Sequence, residues 1–450
     1  MMKFDWNLLF TDNRISKKQY PIQGIAIVMG LLCLSPFLWS IPSYIAFGIC
    51  LCRMVRYDAK AFAVDYCVIL PMTQMFRTHG GLSLLLCYGL ITTLWHLFRG
   101  GIRGDLRYAA LILLMNYLVA RMQLDVSAFL LCIGQLMMLC VLLPKQDDKS
   151  SANAAMAFCI GLLFASVYAY VFRNTDQLRS IQGDAVEAVY GTGIFRFRGT
   201  LSDPNYYMTM LITGLTVLVK LLDCGWIKFP VFLGMAGIFA LLGVMTYSKT
   251  FFLMLVLFAL IYVIWQFYSK RYIYGGALVG LGLLAALWAL LSERSPFAVV
   301  LSRFGSGSLN EITTGRMEVY IDYLRESASS FGSLMFGKGL GAEGLYKAPH
   351  NLYVELIYYI GIVGLLLYIG FFVAMVIMLK KKDKRIQEQH FISRYSSVIM
   401  LAALFFTLHG MRQIVFYGDA FVMLMALMIL PKRVTKPAPA EPSPVEENPL

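Results

Sequence analysis

His350 and Asn351 head a long apolar stretch, APHNLYVELIYYIGIVGLLLYIG (348–370), and Glu355 follows five residues after the histidine. A carboxylate inside such a stretch is costly unless it faces a polar cavity or a cation. Other polar residues flank apolar runs. GIFRFRGTLSDPNYYM supplies Arg196, Arg198, Asp203 and Asn205, and TYSKTFF supplies Ser248 and Lys249. TTGR supplies Arg316, FGKGLG supplies Lys338, and LHGMRQ supplies His409 and Arg412. Two or three Arg or Lys side chains suit a diphosphate, because guanidinium forks match phosphate oxygens. A histidine supplies a general base for a hydroxyl near neutral pH. Fixed cations also stabilise the charge that builds as a diphosphate departs. Together these groups describe transfer of a glycan from a polyprenyl diphosphate to an acceptor hydroxyl.

Each group also has a plainer reading. Arg and Lys near span ends snorkel to headgroups. Arg316 can be the solvated face of an amphipathic helix, and a histidine at a helix start can be a cap. Glu355 can pair with an arginine or orient a polar cluster beneath the site. The outer segments contain no DxD motif, and the turn near Trp39 to Pro42 is too short for a metal site. Because Mg²⁺ sites want carboxylates beside the phosphates, the expected mechanism is metal-independent and uses no cofactor.

The elements that must hold these residues follow from composition. Hydrophobic residues make up 59% of the chain and charged residues 14%, against about 25% charged in soluble proteins. Apolar runs of roughly 17–25 residues recur, each long enough to cross ~30 Å of hydrocarbon. Barrel strands would instead alternate over ~10 residues. The fold class is therefore an all-α polytopic membrane protein of about 12–14 transmembrane helices. Spans are placed near 20–38, 40–55, 60–76, 80–98, 105–123, 126–144, 153–172, 206–222, 227–245, 248–268, 273–292, 352–379, 395–411 and 414–430. The nine cysteines lack CxxC spacing and lie mostly in apolar runs, which points away from a disulfide framework.

Lys and Arg clusters fall at Arg14/Lys17/Lys18, Arg53/Arg56/Lys60, Arg99/Arg103/Arg107, Lys145/Lys149, Lys270/Arg271, Lys380 to Arg385 and Lys432/Arg433/Lys436. If the spans alternate, all lie on one side, which the positive-inside rule makes the cytoplasm. The net charge of +13 is thus explained without nucleic acid. Residues 1–19 form a cytoplasmic tail, 20–430 the transmembrane domain, and the Pro-rich 431–450 a disordered cytoplasmic tail. Both termini are inside. Two long connections, 173–205 and 293–351, fall outside. In the second, Met317, Tyr320, Ile321 and Leu324 define one apolar helix face, lying on the membrane surface or on the bundle top.

In these stretches the sequence resembles the O-antigen ligase/polymerase superfamily of bacterial envelope enzymes. His350-Asn351, nine residues, then Gly361-Ile362-Val363-Gly364 has that family's His-Asn and Gly-x-x-Gly pattern. RGTLSDPNYYM looks like its Arg…Gly…Pro-Asn segment, and TTGR like the Gly-Arg that opens its amphipathic loop helix. Lys249 stands where members usually carry arginine, which keeps the charge and loses the fork. The resemblance covers 195–364.

The resemblance implies a GT-C-like bundle in the bacterial inner membrane with its site on the extracytoplasmic face. It implies an undecaprenyl-diphosphate-linked glycan donor, an acceptor glycan or lipid-linked glycan, and inverting transfer without metal. It implies His350 as base and Arg198 and Arg316 as diphosphate ligands, with Lys249 a weaker match. Arg196, Asn205, Asn351 and Lys338 complete the expected binding set, with Glu355, Asp203, His409 and Arg412 supporting. Polymerisation of repeat units is favoured over ligation, because no extra extracytoplasmic domain stands ready to hold a protein acceptor and polymerases are the more widespread branch. A transporter would explain the many spans, but it calls for polar or broken helices near mid-bilayer, whereas the polar residues gather at one face. Gly361 and Gly364 are expected to admit a neighbouring helix.

Overall fold

Apolar runs become helices because helical backbone satisfies its own polar groups where water cannot. The computed structural model describes residues 22–79, 81–100, 105–122, 126–182, 196–268, 270, 272–292, 296–302, 315–340, 342–345, 349–381, 402 and 419–429. Among these, helices dominate and no strand forms beyond two isolated bridges. In order the helices are α1 (Ile22–Leu34), α2 (Ile41–Arg56), α3 (Ala59–Ile69), α4 (Leu84–Gly100), α5 (Leu106–Ala120), α6 (Val126–Leu142) and α7 (Asp148–Phe172). There follow α8 (Asp176–Gln182), α9 (Pro204–Asp223), α10 (Phe229–Val244), α11 (Lys249–Tyr268), α12 (Tyr272–Leu291) and α13 (Pro296–Ser302). The last are α14 (Arg316–Ser327), α15 (Phe331–Phe336), α16 (Leu352–Lys381) and α17 (Asp419–Met428).

A helix therefore occupies each of the first twelve expected spans. The span at 395–411 lies outside the described residues, and α17 covers part of the last. Four stretches are long and apolar enough to cross a membrane: Asp148–Phe172, Pro204–Asp223, Lys249–Tyr268 and Leu352–Leu379. Carboxylates set several helix starts by accepting orphan N–H bonds. Asp58 caps α3, Asp105 caps α5, and Asp147 forms a capping box with Ser150 on α7.

Helix α7 forms the centre, packed on α3, α9 and α17. Polar links mark two ends of the bundle. At one, Lys60 pairs with Asp147, Gln146 Nε2 donates to Ala59 O at 2.8 Å, and Lys145 Nζ donates to His96 O at 3.3 Å. At the other, Tyr168 Oη donates to Cys33 O at 3.0 Å and Thr200 Oγ1 to Pro71 O at 2.6 Å. Followed along the alternating helices, the starts of α9, α11 and α16 and the end of α5 share this second end.

Three sequence expectations change. Arg53 does not stay in a surface cluster with Arg56 and Lys60. It turns inward and forks onto Asp65, with Nε–Oδ2 at 2.6 Å and Nη2–Oδ1 at 2.8 Å, both side chains buried. Lys220 and Gln266 are also buried within helices, so polar groups are not confined to one end. On α14 the buried residues are Val319, Tyr323 and Ser327, while Met317, Ile321 and Leu324 are exposed. Helix α14 docks on the protein through Val319 and Tyr323, which pack on Val354 and Tyr358 with Tyr320 against them.

The third change concerns α16, which breaks at Gly361 (φ 70°, ψ −178°). Only glycine adopts that conformation readily. The chain from α15 runs into the break: a Cβ on Gly361 would lie 2.5 Å from Phe336 N. Lys338 N donates to Tyr358 O at 2.8 Å and Gly339 N to Tyr359 O at 2.9 Å. The Tyr117 hydroxyl donates to Ile360 O at 2.6 Å and accepts from Gly364 N–H. It stands where the helical bond between those two residues would run. A Cβ on Gly364 would strike Ile360, its own neighbour one turn back. Gly361 thus admits the last turn of α15 at a bridged break, whereas the atoms nearest a Cβ on Gly364 belong to its own helix.

Candidate functional site

Two polar clusters stand at the second end of the bundle. The first joins the starts of α9 and α11. Asp203 accepts from Asn205 N–H at 2.6 Å and so caps α9. That places the Asn205 carboxamide where Ser248 Oγ donates to its Oδ1 at 2.9 Å, and Arg196 Nη2 approaches the same oxygen at 3.4 Å. Arg196 Nε donates to Thr246 O at 2.8 Å. Lys249, half-buried, opens α11 beside Ser248. Two cationic side chains thus sit at helix N-termini, where the backbone itself favours anions.

The second cluster joins α14 to α16. Asn351 is buried, and its Oδ1 accepts from Tyr353 N–H at 3.0 Å and Val354 N–H at 3.3 Å, capping α16. The Asn351 side chain also hydrogen-bonds the Tyr320 hydroxyl. Burial raises the Tyr320 pKa, while the Arg316 charge and the Asn351 bond hold the rise back. Arg316 opens α14, half-buried, one turn before Tyr320. Among the described residues no carboxylate or hydrogen-bond acceptor takes its guanidinium.

His350 precedes the cap in a left-handed conformation, φ 50°, and Tyr247 beside the first cluster has φ 48°. Such residues persist only where the surroundings over-determine them, and they gather at functional sites. Glu355 is half-buried one turn into α16, within electrostatic reach of Tyr323.

Several expected residues take other roles. The Arg198 guanidinium is buried in its own loop. Its Nε donates to Gln182 Oε1 at 3.1 Å, and its Nη1 reaches Gln182 O at 3.4 Å and Ser202 O at 3.2 Å. Those donors are committed to the protein, so Arg198 shapes the loop. Lys338 is ion-paired with Glu326 at 2.7 Å, and Ser329 lies at 3.3 Å from the same ammonium. Its charge is therefore already neutralised, and its amide serves the break in α16. Asp203 acts as a helix cap. His409 and Arg412 lie outside the described residues. No group of three or more His, Cys, Asp or Glu that could hold a metal occurs among the described residues.

Sequence reasoning missed Tyr320, Gln182, Thr246, Tyr117 and Arg121. Tyr320 was in reach, since it stands four residues after Arg316 on a helix. Tyr117 and Arg121 carried no signal, because their partners lie more than two hundred residues along the chain. No protein-family model, no curated protein and no solved structure matches this chain.

Proposed function

We propose that this chain is a multi-pass glycan transferase of the bacterial inner membrane, with a GT-C-like bundle and its site on the extracytoplasmic face. It moves an undecaprenyl-diphosphate-linked oligosaccharide onto an acceptor sugar hydroxyl, inverting and without metal. The polymerisation of envelope polysaccharide repeat units fits it best. The observation that carries this reading is the second cluster: a half-buried Arg316 with no acceptor among the described residues, and the capped Asn351 beside a conformationally constrained His350.

His350 removes the proton from the acceptor hydroxyl as its oxygen attacks the anomeric carbon. The bond from that carbon to the diphosphate breaks, and the leaving diphosphate is neutralised by Arg316, Arg196 and Lys249. Arg198 supports the loop from which Arg196 projects. The break in α16 accounts for Glu355. Counted back from Lys380, about 20 helical residues cover ~30 Å and end at Gly361. On this reading the span is 361–380, both termini are cytoplasmic, and Glu355 stands above the hydrocarbon in the outer loop.

His350→Ala is expected to cut elongation about 10²–10⁴-fold at normal protein abundance; near-normal turnover removes His350 from the mechanism. Gel analysis of the glycan separates polymerase from the ligase alternative. A lost ladder means polymerisation, and accumulated free lipid-linked chains mean ligation to a lipid A-core or other acceptor. A transporter or flippase for an anionic substrate is the second reading, favoured by the broken α16 and the buried Arg53–Asp65 pair. Against it, the carbonyls of Tyr358 and Tyr359 freed at the break are occupied by protein donors rather than facing a path. Flux of labelled lipid-linked glycan across vesicles, without covalent change, would replace the transferase reading.

A further inference from the structure

The break in α16 splits it into two halves with different partners. The upstream half, 352–360, follows directly on His350 and Asn351 and packs through Val354 and Tyr358 on Val319 and Tyr323 of α14. The other face of that half, through Leu352, Leu356 and Ile360, joins the main core. Between the halves runs the strap 336–340. It is held on one side by the Tyr358 and Tyr359 carbonyls. On the other side α5 holds it: Arg121 Nη2 donates to Gly337 O at 2.6 Å, and Leu340 N donates to Arg121 O at 2.8 Å. One turn earlier on α5, Tyr117 bridges Ile360 O and Gly364 N–H, and Phe336 O lies 3.4 Å from its hydroxyl. Every carbonyl from 358 to 360 thus has a donor from outside its own helix, as a buried break requires.

We propose that Tyr117 and Arg121 are positioning residues for His350: from α5 they lock the strap into the break and so fix the direction of the half-helix that His350 and Asn351 head. The proposal rests on the transferase reading. Neither side chain belongs to the two polar clusters, yet both fix backbone at the point where the half-helix would otherwise pivot. A reacting group displaced by about 1 Å costs about 10²-fold in rate, so a loosened pivot acts on turnover before it acts on donor affinity.

The test uses the full-length protein in lipid nanodiscs, with Tyr117→Phe, Arg121→Met and Arg121→Lys. Amide exchange followed by mass spectrometry reads 337–340 and 353–360 against 362–379. Tyr117→Phe removes one oxygen and is the variant that keeps the fold if Arg121→Met fails. The expected result is exchange about tenfold faster in 337–340 and 353–360, with 362–379 unchanged. The kcat for elongation falls tenfold or more, the KM for lipid-linked donor moves less than threefold, and Arg121→Lys recovers part of the loss. The proposal is overturned if exchange stays at the wild-type rate, if it rises equally in 362–379, or if it rises while kcat does not change. If His350→Ala keeps full turnover, the transferase reading and the positioning role for His350 fall together. The exchange comparison then still decides whether α5 holds the half-helix.

Discussion

Replacing Gly361 with alanine tests the break directly. In a regular helix the change would gain up to about 1 kcal/mol. Here the backbone sits at φ 70°, ψ −178°, and holding alanine there costs of order 1–3 kcal/mol. The new Cβ would also lie 2.5 Å from Phe336 N and against the Met335 carbonyl, so the strap must retreat. Retreat stretches the bonds from Lys338 N and Gly339 N to the Tyr358 and Tyr359 carbonyls, each worth about 1 kcal/mol net. Either alanine stays strained or the helix straightens and sheds the strap. The strained route costs the roughly 1–3 kcal/mol plus up to about 2 kcal/mol for the two stretched bonds, and the straightened route loses those bonds against a helix gain of up to about 1 kcal/mol, so the change destabilises by about 1–5 kcal/mol. The assay is thermal denaturation of the purified protein in detergent, with elongation measured in parallel. Gly370→Ala is the control, because it lies in the downstream half with no atom within 4 Å of its added Cβ. Gly361→Ala should lower Tm by several degrees and cut turnover at least tenfold, while Gly370→Ala leaves turnover unchanged and Tm the same or slightly higher, by a helix gain of up to about 1 kcal/mol. Wild-type Tm and turnover in Gly361→Ala would refute the account of the break.

Three further outcomes follow from the packing. Arg53→Ala leaves Asp65 buried without its forked partner and should cost about 3–5 kcal/mol, read as lost Tm and yield; the double change Arg53→Met with Asp65→Leu should recover most of it. Lys338→Ala removes a partly exposed ion pair with Glu326, worth less than about 1 kcal/mol, so donor KM should not move; a large rise would return Lys338 to the proposed diphosphate-binding set. Burial raises the Asp147 pKa, but Lys60 and the Ser150 amide and hydroxyl outweigh it and leave the carboxyl below its ordinary value. Its stabilisation is therefore present above pH ~4 and fades as pH falls further. Asp147→Asn should lose less stability than wild type between pH 5 and pH 3, estimated as roughly the carboxylate titration window, in thermal scans.

Hydropathy alone located helices in the first twelve expected spans, because backbone in an apolar run has one economical way to satisfy its hydrogen bonds, and that requirement is local. The start of α16 is settled just as locally: Asn351 caps it, using amides two and three residues away. Other assignments failed where the deciding partner was distant. Nothing near Arg53 in sequence says that it will fork onto Asp65 rather than stay on the surface. The periodicity of α14 did not say which side docks; packing on Val354 and Tyr358 selects Val319 and Tyr323 and leaves Met317, Ile321 and Leu324 exposed. Arg198 and Lys338 looked alike as free cations until Gln182 and Glu326 took them up.

The break at Gly361 was the least legible feature of all. An uninterrupted apolar run reads as one helix, since glycine tolerates a helix and a break alike. The choice is made by donors from α5 and the strap, which supply what the helix gives up. Local hydrogen-bond demand thus determined what elements exist. The tertiary structure decided which polar groups are taken up, because their partners are distant in sequence and only the fold brings them within hydrogen-bond distance.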